Sequence, residues 1–339
     1  MVGDACQIAY PVRFDRKYNK WVSTGACEKV LYIMTEQDTD EIQTMILAYL
    51  TGYNEDIFKY GIYGEAEMPR IKKAVEIMKK YSDNFLTAEV PEPCAATIKN
   101  MFRSYAIEEG VENIFFDYIF SCPALLNEYR DIGIREDVAL RLFTTTLKNL
   151  AKELDIFVMT ATQLTLTNEE VQKGGFRDER AVRGSKAIID LADFACIMSR
   201  PTTDEISALS GFQKLFEFVP NLVTDIFKNR GGRWNRLRLW SYYDAGSLRV
   251  DDLFLTTPDL KAVEGFNVVN CETTFDEFTD YCNELNKGDN GVDTNVIENY
   301  DLSLQQPEEL IQNAVEAFDN DEDIKRRVEN KSFSELLGL

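Results

Sequence analysis

Three polar residues carry the chemistry that can be read along this chain: Glu36, Asp117 and Gln163. Each follows a short apolar run, namely Lys29 to Met34, Ile114 to Phe116 and Ile156 to Thr160. A charged side chain directly after a buried run is costly unless the run ends at an exposed sheet edge, and in open α/β sheets that edge is where ligands bind. Two carboxylates and an amide at such an edge form a recognisable working set. One carboxylate can polarise an attacking water, a second can hold a Mg²⁺-bound water, and an amide can sense a terminal phosphate. Taken singly, each polar strand end more often begins a turn. Three in one plausible order, Thr35-Glu36-Gln37, Asp117-Tyr118 and Thr162-Gln163, are harder to explain that way.

The elements that must position these residues are legible as hydrophobic periodicity. Strands are expected at 29–34, 85–90, 111–118, 156–160 and 194–198. Helices are expected at about 38–50, 54–61, 66–81, 95–109 and 135–154, the first capped by Asp38 or Thr39. Residues 1–9 place Val2, Ala5, Cys6 and Ala9 on one helical face, and Pro11 ends that helix. Residues 12–24 suggest an exposed hairpin around Tyr18-Asn19-Lys20. The stretch 166–182 is expected to be a mobile polar loop and 201–220 an excursion. Runs at 222–227, 237–243 and 247–254, punctuated by Gly231-Gly232 and Ala245-Gly246, read as antiparallel strands. Strands alternating with helices, followed by a meander, indicate an α/β domain over residues 1–260. Residues 261–339 form an acidic extension, helical or disordered, with short helices plausible at 274–286, 307–318 and 322–336.

Composition narrows the function. A chain of 339 residues with 45% hydrophobic and 12% aromatic residues can bury a substantial core. Its net charge of −21 excludes a globally basic nucleic-acid binder. The charge is uneven: residues 271–339 carry 18 acidic and 5 basic side chains. There is no histidine, which removes every Ser-His and Cys-His catalytic pair. The seven cysteines never form a Cys-x-x-Cys pair, which argues against zinc, and their odd, scattered count suggests a reducing cytoplasm. No uncharged run is long enough to span a bilayer, and no membrane association is expected. One local basic stretch stands out, from Lys173 through Arg177, Arg180 and Arg183 to Lys186. Its five basic residues accompany two acidic ones and include glycine and serine, which let backbone amides approach phosphates.

Six segments in order make the chain resemble the C-terminal motor of the bacterial DnaB-type replicative DNA helicases and their phage relatives. They are 30–36, 114–118, 147–154, 160–164, 183–193 and 228–232, which together cover roughly residues 25–255. The resemblance implies a RecA-like P-loop NTPase core, with a mainly parallel sheet flanked by helices and C-terminal antiparallel strands. It implies ATP and Mg²⁺ as cofactors, single-stranded DNA as the track and a homo-hexameric ring. A helicase loader or primase would be a further partner. Carried over residue by residue, Glu36 matches the water-activating glutamate and Asp117 the Mg²⁺ aspartate. Gln163 matches the glutamine that links nucleotide state to the DNA-binding loop. Lys228 and Arg230 match the basic pair that reaches a neighbouring subunit's nucleotide. Lys173, Arg177, Arg180, Arg183 and Lys186 fall where the family's channel loops grip DNA.

One feature of the family is missing. A Gly-x-x-x-x-Gly-Lys-[Ser/Thr] phosphate loop is expected ahead of Glu36, yet no Gly-Lys dipeptide occurs in these 339 residues. The favoured expectation is a truncated start, with the reading frame continuing upstream through the loop. The competing expectation is a non-catalytic RecA-like scaffold or partner protein of the replication machinery.

Overall fold

The computed structural model describes residues 1–129, 135–164, 174–181, 186–209, 218–232, 235–263 and 276–287. The expected helices at 307–318 and 322–336, and most of the expected loop at 166–182, lie outside the described residues.

The centre is a parallel sheet of β3 (Val30–Met34), β4 (Phe85–Glu89), β5 (Asn113–Asp117) and β6 (Phe157–Thr160), in the order β4-β3-β5-β6. Its two inner strands are the most apolar, because they are covered on both faces; all five residues of β3 are buried. Alternation along the strands divides the core in two. Val30, Tyr32, Met34 and Phe115 pack with α1 (Val2–Ala9), α2 (Thr39–Thr51) and α4 (Met68–Lys80). Leu31, Ile33, Ile114 and Phe116 pack on the other side with α5 (Ala95–Ile107) and α7 (Glu136–Leu154). A short α3 (Asp56–Lys59) precedes α4.

Local signals set the helix ends. Asp38 caps α2 by accepting from the Glu41 amide at 2.8 Å, and Gly52, at φ 74°, closes it in the left-handed conformation. Helix α6 (Pro123–Glu128) was not foreseen; its Glu128 carboxylate accepts from the Ala95 and Ala96 amides and so caps α5.

A second, antiparallel sheet has the order β10-β9-β8-β7, from β7 (Phe194–Ser199), β8 (Leu222–Asn229), β9 (Leu237–Asp244) and β10 (Arg249–Thr256). Trp240 and Val223 are its fully buried centre. Helix α8 (Lys186–Leu191) precedes β7, and α9 (Thr203–Ala208) follows it.

The hairpin of β1 (Val12–Asp15) and β2 (Lys20–Ser23) forms where expected but is not exposed. Val12, Phe14 and Trp21 are buried, and Arg70 stacks 3.7 Å over the Phe14 ring. Its cover comes from afar. Asn286, the last residue of α10 (Asp276–Asn286), bonds both the amide and the carbonyl of Trp21, at 2.8 and 3.1 Å. No helix among the described residues is long and apolar enough to cross a membrane.

Candidate functional site

Strand register brings the three polar ends together. β3 and β5 pair in parallel with Met34 opposite Asp117, and β5 pairs β6 with Phe116 opposite Thr160. Glu36, Asp117 and Gln163 therefore leave the same edge of the sheet from three adjacent strands. Short hydrogen bonds tie the ends to one another. The Thr35 amide and hydroxyl both donate to the Asp117 carbonyl, at 3.0 and 2.9 Å. Thr160 Oγ1 donates to the Phe116 carbonyl at 2.8 Å, and the Ile119 amide to the Ala161 carbonyl at 2.9 Å. The peptide between Asp117 and Tyr118 is cis.

Two tyrosines join the functional side chains. The Tyr32 hydroxyl donates to Asp117 Oδ2. Burial, and after it the Asp117 charge and this hydrogen bond, push the Tyr32 phenol well above its ordinary range, so it remains a donor at any working pH. The Tyr118 hydroxyl donates to Glu36 Oε1 at 2.9 Å and accepts from Gln163 Nε2 at 3.0 Å. Its pKa is raised, first by the hydrogen bond to Glu36 and then by burial. Glu36 and Gln163 are exposed, while Asp117 is half-buried. The sequence reading missed both tyrosines as site residues. Tyr118, next to Asp117 in a polar strand end, was the visible signal.

The donor set is suited to one end of a nucleotide site. Asp117 is a hard oxygen donor with one oxygen held by Tyr32, suited to a hydrated Mg²⁺, and Glu36 stands beside it to orient water. The phosphate end is not matched, because these residues contain no Gly-Lys dipeptide and hence no phosphate loop. No hydrolytic step is derived from this chain alone.

Lys228 and Arg230 lie on the second sheet, at the end of β8. They cover the C-terminal end of α8, where the last helical carbonyls lack partners within the helix. Lys228 Nζ donates to the Ile189 carbonyl and Arg230 Nη2 to the Asp190 carbonyl, each at 2.5 Å. Burial, and then the Arg230 charge, lower the Lys228 pKa. Asp193 lies 3.9 Å from Arg230 and also pairs with Lys148, whose hydrogen bond holds the Asp193 carboxyl below its ordinary range.

The basic segment divides. Lys173 and Arg183 lie outside the described residues, and Lys186 opens α8. Arg180 is 84% exposed, with its fork on both oxygens of Asp178 at 2.9 Å. Arg177 is different from the expectation. Its side chain is only 5% exposed; its amide and Nη1 both donate to Asp225 Oδ2, at 3.1 and 3.5 Å. A guanidinium held inside by a buried carboxylate is not displayed to a DNA backbone. Asp225 in turn pairs with Arg238 at 2.8 Å, and Arg238 reaches Glu205 at 2.7 Å. The Glu205 carboxylate also accepts from the Gly175 amide at 2.8 Å. This four-residue ion cluster fastens the described foot of the basic segment to the second sheet. The clue in the sequence was phase, since Asp225 and Arg238 occupy inward positions of β8 and β9 and face each other in register.

Residues 14–245 match the family described as the DnaB-like helicase C terminal domain. The chain belongs to that family. It is 32% identical over 275 residues to the SPbeta prophage-derived uncharacterized protein YorI of Bacillus subtilis (strain 168), across 79% of this chain and 54% of that protein. The chain thus spans about half the length of the curated relative it matches. Two solved structures share its fold. One is an isolated ATPase domain, which superposes with a TM-score of 0.52 at 15% identity, over 67% of this chain and 75% of that one. The other is a DnaB-like replicative helicase, from a study that also concerned its interactions with primase; it gives 0.52 at 16% identity, over 66% and 51% of the two chains.

Proposed function

We propose that this chain is the motor portion of a replicative DNA helicase that moves along single-stranded DNA as a homo-hexameric ring, using ATP and Mg²⁺. The observation that carries the reading is the convergence of Glu36, Asp117 and Gln163 on one sheet edge, joined through Tyr118. In this reading Glu36 orients a water and Asp117 holds the hydrated metal. Gln163 relates the nucleotide side to the DNA side. Lys228 and Arg230 serve a neighbouring copy, and must leave the α8 carbonyls on which they rest to do so. The phosphate cradle comes from outside these 339 residues. A helicase loader or primase is the partner the reading implies.

One observation favours a second reading. Without a Gly-Lys dipeptide the chain could serve as a RecA-like scaffold that assembles with the replication machinery and hydrolyses nothing. Calorimetry with ATP on the naturally expressed protein separates the two: binding with turnover supports the motor, and its absence supports the scaffold.

The DNA side is tested by fluorescence anisotropy with single-stranded and duplex oligonucleotides over a salt series. Few phosphate contacts per copy should make a monomer bind weakly, with a ring gaining by avidity. Binding should be selective for single strands and weaken steeply with salt. Arg180→Ala should reduce the salt slope by about one unit per site. Equal affinity for duplex, or an unchanged slope in this variant, would remove DNA contact from the basic segment.

A further inference from the structure

Tyr118 stands between two groups to which the proposed function gives separate tasks. Its hydroxyl has one proton to give and lone pairs to accept with, and the structure uses both capacities. The proton goes to Glu36 Oε1 at 2.9 Å, and the oxygen receives Gln163 Nε2 at 3.0 Å. The three side chains come from the ends of three neighbouring strands, so the phenol closes a chain across the sheet edge. The backbone beneath is held by the bonds of Thr35 to Asp117 and of Ile119 to Ala161. The ring leans on Phe120, with centroids 5.5 Å apart. The aromatic body thus has its own support, and the hydroxyl is left to link the two polar ends.

We propose that Tyr118 is a positioning residue that couples Glu36 to Gln163: the phenol sets the rotamer of the carboxylate, and a movement of Gln163 is passed to Glu36 through it. Glu36 can offer only Oε2 freely to a water while Oε1 is held. Gln163 heads the stretch of sequence that runs to the basic segment at 173–186. Engagement there, by drawing Gln163 away, removes one of the two hydrogen bonds on the phenol and lets it turn with Glu36. Coupling of this kind is reciprocal, so a change at Glu36 is felt equally at Gln163. The inference rests on the motor reading for the meaning of Glu36, but the coupling itself does not need nucleotide.

The test is a double-mutant cycle read by NMR on the full chain, with ¹³C in the glutamate carboxyls and ¹⁵N in the glutamine amides. The Glu36 carboxyl signal, assigned by its loss in Glu36→Gln, should shift in Gln163→Leu. The Gln163 amide signal should shift in Glu36→Gln. Both responses should vanish in a Tyr118→Phe background, which keeps the ring and its contact with Phe120. An unchanged amide fingerprint elsewhere shows that this variant folds as the parent does. Responses of equal size with and without the phenol hydroxyl would overturn the proposal. Failure of the motor reading would show separately, as a protein that never turns over ATP while the Tyr118 coupling persists.

Discussion

Replacing Asp225 with asparagine should destabilise the second sheet far more than the modest change in shape suggests. The carboxylate is fully buried between Arg238, 1% exposed, and Arg177, 5% exposed. With Glu205 the cluster holds two positive and two negative charges, so it is formally neutral. Burial pushes the Asp225 carboxyl above its ordinary value, and the nearby Arg238 only partly draws it back. The amide side chain would keep the volume but leave a net positive charge enclosed. Breaking a buried pair in this way costs about 3–5 kcal/mol. An exposed pair such as Arg103 with Glu153, each about half exposed, is worth roughly 0–1 kcal/mol. At about 2–4 °C per kcal/mol for a domain of this size, Asp225→Asn should lower Tm by roughly 6–20 °C. Arg103→Ala should barely move it. The double replacement Asp225→Leu with Arg238→Met removes one charge of each sign and should cost less than the single one. Urea and thermal unfolding of all four proteins provide the comparison. If Asp225→Asn fell within about 1 kcal/mol of the parent, the cluster would be solvated in solution and the reasoning would fail.

Gly3→Ala reverses a familiar expectation. Alanine normally favours a helix over glycine by about 1 kcal/mol, yet a Cβ at Gly3 would lie 2.2 Å from the Leu248 carbonyl oxygen. Overpacking of this kind costs roughly 1–3 kcal/mol, so Tm should fall, and a rise would show that α1 does not pack against the β9–β10 turn. The pH dependence should reveal Glu205. Burial alone would raise its carboxyl, but hydrogen bonds from the Thr202 and Gly175 amides and from Arg238 outweigh burial and lower it. A carboxyl with a lowered folded pKa stabilises the fold fully above the ordinary glutamate range and loses that contribution as pH falls through the lowered value. The stability gap between the parent and Glu205→Gln should therefore be full at neutral pH and close in acid. A gap that widened in acid would contradict the assignment.

How much was legible depended on how local each feature is. The strands at 30–34 and 113–117 announced themselves because burial on both faces demands continuous apolar runs. The cap at Asp38 is written in the few residues around it. The hairpin at 12–23 was legible as a hairpin but not as buried, because its cover includes Asn286, 265 residues beyond Trp21. Arg177 looked like a surface cation because glycine, phenylalanine and charged residues around it carry no sign of the carboxylate it meets, 48 residues on.

Local chemistry, then, was determined by the sequence alone: apolar strands ending in Glu36, Asp117 and Gln163, a chain without histidine, and an acidic extension. Adjacency was decided only in three dimensions. Strand order β4-β3-β5-β6 places Asp117 beside Thr35 and Glu36 although some 80 residues separate them, with β4 set to the outside. The same order lets Tyr118 stand between Glu36 and Gln163, while the pairing of β8 with β9 turns Arg177 inward toward Asp225. The physical reason is that a polar side chain's role depends on which partner satisfies it. That partner is chosen by long-range pairing and burial, which no window along the chain contains.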